Sequence, residues 1–354
     1  MFKKGRKQRL LNSENTPSEF FYGYKELKKE GYNVNLLEQL DLVSERNNIF
    51  FNKFFNLLSR IIFNLPLSII VGFLFNKSYK KLEKIDSIVA TTNSLGILIS
   101  FAKNLGLIRS NILFFNMGLF SKKPNLLKLN LYKYLFKNVK LLTISKTEYI
   151  MLNSSFINLN IKYIPFGVDE DFWVPQEKKI CKPYILAVGN DLARDWETLV
   201  RSWDNNLPIL KIVTSLPVNT SKNNIEVIKG NWHSQALSDI EMRELYCDSE
   251  FVILPLKETF QPSGQSTCLQ AMACSKAVLI SNISGIWDRK LLKHRENIYF
   301  TKPGDISDLN KAVHLLCKNI ELRMKIEKNG RKLVKDHFNI KNMKNILKEI
   351  LEEN

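Results

Sequence analysis

This sequence predicts two α/β domains in tandem, each a parallel sheet covered by helices. Three observations carry that expectation. The chain has 354 residues, long for one core and natural for two of about 150 residues each. Short apolar runs of strand length alternate with longer helical patterns through both halves, the mark of βαβ units. The alternation breaks once, at Phe166–Pro175 (FGVDEDFWVP), where Gly167, the acidic run Asp169–Asp171 and Pro175 read as a connection.

In the first half, Arg9–Leu11 reads as a strand remnant, followed by NSENTP, which has no glycine. Ser18 caps an expected helix with Phe20, Phe21, Tyr24 and Leu27 on one face, ending at Gly31. Tyr32–Leu37 alternates as a strand. Ile61–Phe75 is the most apolar stretch. It is shorter than the roughly 20 residues a membrane-spanning helix needs and contains Asn64 and Pro66. It reads as a core or partly exposed helix, with a membrane-surface face as the alternative. Asp86–Thr92 is a buried-strand pattern. Ser94 then caps a helix over Leu95–Leu105 that stops at Gly106. Asn111–Met117 and Leu141–Ser145 are strands, a helix starts at Lys146, and Ile161–Pro165 is a final strand.

The second half begins at Pro183. Strands are expected at Tyr184–Val188, Ile209–Val213, Ile225–Lys229, Glu250–Leu254 and Ala277–Ser281. Helices are expected at Asp195–Trp203, Ser238–Tyr246 and Ser266–Cys274 and from about Ser307 onward, with Gly330 tolerated inside the last run. The expected partition is 1–167, a connector over 168–182, 183–338, and a terminal helix over 339–354 that packs back on the first domain. Two such domains facing each other would place ligands at the carboxyl ends of their strands, in the cleft between them.

Charge narrows the partners. Lys and Arg total 52 against 35 Asp and Glu, a net charge of +17, which favours anionic ligands or surfaces. The one dense cluster is Lys3, Lys4, Arg6, Lys7 and Arg9, a solvated tail or a lipid-headgroup contact. No recognition module or aromatic-basic interleaving supports nucleic-acid binding. The five cysteines, Cys181, Cys247, Cys268, Cys274 and Cys317, include no C-x-x-C pair, and the four histidines are scattered. That reads as reduced, cytoplasmic and metal-free. The N-terminus is charged with no short apolar core behind it, unlike a secretory signal.

Chemistry concentrates in Pro255–Asp288 (PLKETFQPSGQSTCLQAMACSKAVLISNISGIWD). A strand end runs into a polar loop and a helix opening near Ser266. Backbone N–H groups at a helix start, aided by the dipole, form an anion site. Gly264 lets the backbone approach a phosphate, and Ser263, Ser266 and Thr267 add hydroxyls. Gln270, about one turn in, can pair with sugar or ribose hydroxyls. The alternative is an ordinary capped helix after a surface loop.

This run, with ISGIWD and YFTKPGD after it, resembles the donor-binding region of the family 4 glycosyltransferases. The matching residues are Ala271, Met272, Ala273, Val278, Gly285, Pro303 and Asp305. The family carries two glutamates spaced E-x7-E. Here the helix glutamate is Gln270, and Gln261 or Pro262 stands at the loop glutamate's place. Pro165–Trp173 resembles the family's interdomain segment, and Tyr184–Trp196 (YILAVGNDLARDW) its basic loop. The resemblance covers about Ile161 to Phe338. It implies the GT-B fold, transfer from a nucleotide-diphosphate sugar with retention, and no metal or other cofactor. It implies donor contacts at Gly189, Asn190, Arg194, Gly230, Asn231, Ser263, Gly264, Gln265, Ser266, Thr267 and Gln270. Arg194, Gln261 and Gln270 are the expected catalytic set, with Arg194 on the pyrophosphate; the alternative for Arg194 is a pair with Asp191 or Glu197 at a helix start. Asn116 and Gly118 are expected on the acceptor side. The acceptor would be a glycan or a lipid-linked glycan, with peripheral contact to an anionic membrane. Asp169–Asp171 invite a metal reading, but they lie in a connector rather than at a nucleotide-binding strand end. The alternative function is a nucleotide-sugar-binding protein without turnover.

Overall fold

The computed structural model describes residues 1–11, 16–43, 57–59, 65–177, 182–230 and 237–353. The chain divides into two units. One comprises Met1–Asn12, Phe20–Ile164 and Ile346–Asn354; the other comprises Ser13–Glu19 and Pro165–Asn345.

The first unit holds helices α1 (Arg6–Leu11), α2 (Tyr24–Lys29), α3 (Gln39–Leu42) and α4 (Leu67–Phe75). Strand β1 (Ser87–Ala90), α5 (Asn93–Asn104), β2 (Asn111–Asn116), α6 (Leu126–Phe136), β3 (Lys140–Thr143), α7 (Lys146–Ser155) and β4 (Ile161–Tyr163) follow. The four strands form one parallel sheet in sequential order. Its core gathers the apolar stripe of α5 (Leu95, Leu98, Ile99, Ala102) against Phe114, Phe136 and Leu141. Burying each such side chain is worth about 2 kcal/mol. Gly96 permits the closest approach, because a Cβ there would run into the Phe114 ring.

Four expectations fail in the first half of the sequence. Arg9–Leu11 is helical, part of α1, as suits straight-chain residues that lose little side-chain freedom in a helix. The helix expected from Ser18 to Gly31 is broken. A 3₁₀ turn covers Ser18–Phe21, Tyr22 and Gly23 take positive φ, and α2 starts afresh at Tyr24. Tyr32–Leu37 alternates in exposure but forms no strand with the described residues, among which one bridge, between Phe2 and Glu38, lies beside it. Periodicity without a neighbour to accept the ladder leaves extended chain. The cap of α5 is Thr92, not Ser94, and it accepts from the Leu95 amide. Residues 61–64 of the apolar stretch lie outside the described residues. The remainder forms α4, with Ile70 and Phe73 buried and Phe75 exposed. Among the described residues no helix is long and apolar enough to cross a membrane.

The second unit runs β5 (Tyr184–Val188), α8 (Trp196–Ser202), β6 (Ile209–Thr214), β7 (Ile225–Lys229), α9 (Asp239–Asp248) and β8 (Val252–Leu254). It continues with α10 (Gln265–Ala273), β9 (Val278–Ser281), β10 (Tyr299–Thr301), α11 (Ile306–Lys318), α12 (Ile320–His337) and α13 (Ile340–Glu352), whose last turns belong to the first unit. Every strand and helix expected here is present within a residue or two. β10, read only as part of a motif, is an added strand. The sheet is parallel throughout, in the order β10-β9-β8-β5-β6-β7. The order reverses between β5 and β8, so the crossovers leave to opposite sides there. The loops after those two strands therefore lie at the reversal point, the place where α/β sheets bind ligands.

Candidate functional site

The two loops at the reversal are Gly189–Asp195 after β5 and Pro255–Gly264 after β8. They are zipped together by the backbone: the Asp195 amide donates to the Pro255 carbonyl (3.0 Å) and the Lys257 amide to the Ala193 carbonyl (2.8 Å). Arg194 and Leu256 form the bridge between them.

That pairing sends the Arg194 side chain inward, where it is 2% exposed. Its Nε donates to the Val188 carbonyl at 3.0 Å, and its Nη1 lies 3.2 Å from Asp191 Oδ2. Nη1 makes no hydrogen bond of good geometry although it is buried. Two glycines make room for the guanidinium. Gly189, at φ 152°, has no space for a Cβ, which would run into Arg194 Nε. Gly264, at φ 78°, would set a Cβ 3.2 Å from Arg194 Nη1. Burial pulls the guanidinium's pKa down and Asp191 partly restores it. Arg194 is thus a buried cation at a strand end and beside a helix start, paired with Asp191 and keeping one nitrogen without a hydrogen bond of good geometry, an arrangement whose chemistry suits an anion.

Gly264 is also the N-cap of α10 and brings no side-chain cap. The first-turn amides, which have no partner inside a helix, include those of Ser266 and Thr267. Both residues are half-buried, as are Ser263 and Gln261. Gln265 and Gln270 are buried. The Gln261 carbonyl accepts from the Ser263 amide (2.7 Å) and packs where Gly285 leaves no room for a Cβ.

Asn190 braces strand ends. Its Nδ2 donates to the Gly230 carbonyl (3.1 Å), and its Oδ1 accepts from the Ser215 hydroxyl (2.9 Å) and the Thr214 hydroxyl (3.2 Å). Gly230 is buried against Val213. Asn231 lies outside the described residues. Arg194, Gly189, Ser263, Gly264 and the first turn of α10 thus come together, with Asn190 and Gly230 on the neighbouring strand ends.

Gln270 sits deeper than the sequence suggests. Its Nε2 donates to Glu19 Oε1 at 3.1 Å, and its Oε1 accepts from the Tyr246 hydroxyl at 3.4 Å. Glu19 also accepts from Trp173 Nε1 (2.6 Å) and from the Asp169 amide (3.1 Å). Burial raises its pKa to about 7. Asp169 itself caps the connector turn, accepting from the amides of Ser18 (2.8 Å) and Phe172 (3.1 Å). Glu19, Trp173 and Tyr246 carry no local signal toward Gln270 in the sequence.

In the first unit, Asn116 ends β2 fully buried and Gly118 follows at φ 77°. The turn is held from two sides. Asn93 accepts from the Met117 amide (3.2 Å) and donates to the Gly118 carbonyl (3.1 Å). Glu148 accepts from the amides of Gly118 (3.2 Å) and Leu119 (2.7 Å). Burial raises Glu148 to about 7, against the pull of those bonds and of Asn116. A signal for Glu148 existed: Ser145-x-x-Glu148 has the spacing of a helix capping box. Ser145 does cap α7, but the glutamate reaches the β2 turn instead.

Residues 225–333 match the model of the family described as glycosyl transferases group 1. No curated protein sequence matches the chain. Among solved structures, it is similar to sucrose-phosphate synthase from Thermosynechococcus elongatus (TM-score 0.66, 17% identity, 82% of this chain and 78% of that one). It is similar also to the HepE protein of Anabaena, solved with UDP and glucose (0.66, 13%, 80% and 82%). A third likeness is a glycosyltransferase from Rickettsia africae (0.62, 17%, 93% and 88%). With these structures the chain shares a mixed α/β fold built on two parallel sheets.

Proposed function

We propose that the chain is a group 1 glycosyltransferase that moves a sugar from a nucleotide-diphosphate donor to a glycan or lipid-linked acceptor. One observation carries this reading: the buried Arg194 guanidinium converges with the uncapped first turn of α10 at the sheet's reversal point. The match over residues 225–333 and the UDP-bound HepE neighbour support it. Negative charge grows on the departing pyrophosphate during transfer. Arg194 and the amides from Ser263 to Thr267 would stabilise it, with no proton-transfer group required for departure. On this reading transfer retains the anomeric configuration and needs no metal, and Asn116 and Gly118 belong to the acceptor side. The net charge of +17 suits an acceptor presented at an anionic membrane surface.

A thermal-shift panel of nucleoside diphosphates and their sugars on wild type and Arg194→Ala tests this. One nucleotide class should raise the Tm of wild type. The variant should bind it about 10- to 100-fold more weakly, as expected for a lost charged hydrogen bond. No response to any nucleotide would refute the reading. One observation favours a second reading, a nucleotide-sugar-binding protein without turnover: both polar ends of Gln270 are spent inside the protein. A donor that binds but is consumed with no acceptor would decide for it.

A further inference from the structure

Glu19 is a fully buried carboxylate that the reaction scheme above leaves idle. It belongs to the second unit although it lies far from it in sequence, 251 residues from Gln270. Its partners on other residues are all donors: the Trp173 indole, the Gln270 amide and the Asp169 N–H. An ionised carboxylate meets all three, since it only accepts. A glutamine at 19 cannot, because its NH₂ end would face a donor whichever way it turned. The same geometry explains the residue at 270. A glutamate there would set a second carboxylate about as close to Glu19 as the amide is now, and two such groups cannot both ionise. The amide is also oriented, with its NH₂ on Glu19 and its oxygen on Tyr246.

We infer that Glu19 is a positioning residue for α10: its carboxylate clasps Gln270 and the connector turn, and so fixes the helix whose first turn carries the anion-binding amides. The effect on ligand binding rests on the donor site proposed above. The clasp itself does not. The titratable groups facing Glu19 are Asp169, on the connector, and Tyr246, on α9, the latter with its pKa pushed far up by burial. Burial keeps the Tyr246 phenol protonated between about pH 5.5 and 8.5.

The test uses UDP-glucose, whose pyrophosphate diester is ionised across the same window, and the full-length chain. Affinity is measured from about pH 5.5 to 8.5 for wild type and Glu19→Gln. Wild type should bind about tenfold more tightly at the alkaline end, with a step near neutrality. Glu19→Gln should lack the step and bind weakly throughout. A Glu19→Gln variant that keeps the step, or that binds like wild type at high pH, would overturn the inference. A second series needs no ligand. Gln270→Glu should lower Tm more at about pH 8 than at about pH 5.5, where one proton is shared, and adding Glu19→Gln should recover part of the loss. Equal Tm values for Gln270→Glu and wild type at both pH values would also overturn it. If wild type binds no UDP-glucose, the nucleotide sugar that the panel above selects takes its place, and if none binds the donor-site reading fails on its own. Recovery of Gln270→Glu by Glu19→Gln then supports the clasp, and its absence refutes it.

Discussion

The two units solve the same problem, fixing a turn at the end of a parallel strand, by different means. In the second unit the turn after β5 is shaped by backbone: Gly189 takes a φ that favours glycine, and the missing Cβ is the space in which Arg194 lies. In the first unit the turn after β2 also has a glycine at positive φ, Gly118, but it is held by side chains, Glu148 and Asn93 holding the amides and carbonyl of Met117–Leu119. Backbone-built turns leave glycines and loop lengths in the sequence. Turns held by a distant side chain leave almost nothing local.

The sharpest way to break that contrast is Gly189→Ala. The new Cβ occupies the place of Arg194 Nε and demands a backbone conformation that L side chains rarely adopt. Either the guanidinium leaves its pocket or β5 shifts. Nucleotide response should vanish, and Tm should fall by an amount corresponding to about 3 kcal/mol or more. An alanine variant that keeps both would show that the site does not depend on this backbone.

The matching test in the first unit is Glu148→Ala, which strands the Gly118 and Leu119 amides in a buried place. The expected loss is about 1–3 kcal/mol for the orphaned donors, measured by urea unfolding. Nucleotide response should survive, since Glu148 belongs to the other unit. The same residue gives a pH dependence of known sign. Its folded pKa, about 7, lies above its ordinary value of 4.5. The stability it contributes is therefore complete below about 4.5 and is lost as pH rises through about 7. Glu148→Gln should lower the slope of that part of the stability–pH curve, with Glu19, also raised to about 7, supplying the remainder. An unchanged slope would mean that Glu148 is not the buried acid responsible.

How much was legible follows the same division. The order of strands and helices from β5 to α12, β10 excepted, and the glycine-led start of α10 are local patterns, and the structure has them where the sequence puts them; the burial of Arg194 beside Asp191 depends on the pairing of two loops and is not local. Tyr32–Leu37 shows the limit, because alternation says which face is wet but not whether another strand lies beside it. Arg9–Leu11, a strand remnant by its short apolar end, carries straight-chain residues that favour the helix it joins. Gln270 looked like a ligand residue because its real partner, Glu19, is 251 positions away. Glu148 was visible as a capping-box glutamate, yet its destination, the β2 turn, is a tertiary fact.

The smallest expected effect calibrates the others. His314 Nε2 sits 2.8 Å from Asp204 Oδ2 on the surface of the second unit, with Asn310 donating to the same carboxylate. The bond from His314, with Asn310 next, draws the Asp204 pKa below its ordinary range. The stability it lends is thus present above that range and lost as pH falls through the lowered pKa, the opposite sense to Glu148. Both side chains are a third or more exposed, so water and salt screen the pair. His314→Ala should cost about 0–1 kcal/mol and leave nucleotide response untouched. Its cost should shrink further in high salt, whereas that of Glu148→Ala should not. A large, salt-insensitive loss at His314 would mean that the surface of this unit, and not only its strand-end turns, is held by distant side chains. The contrast between the two units would then have to be redrawn.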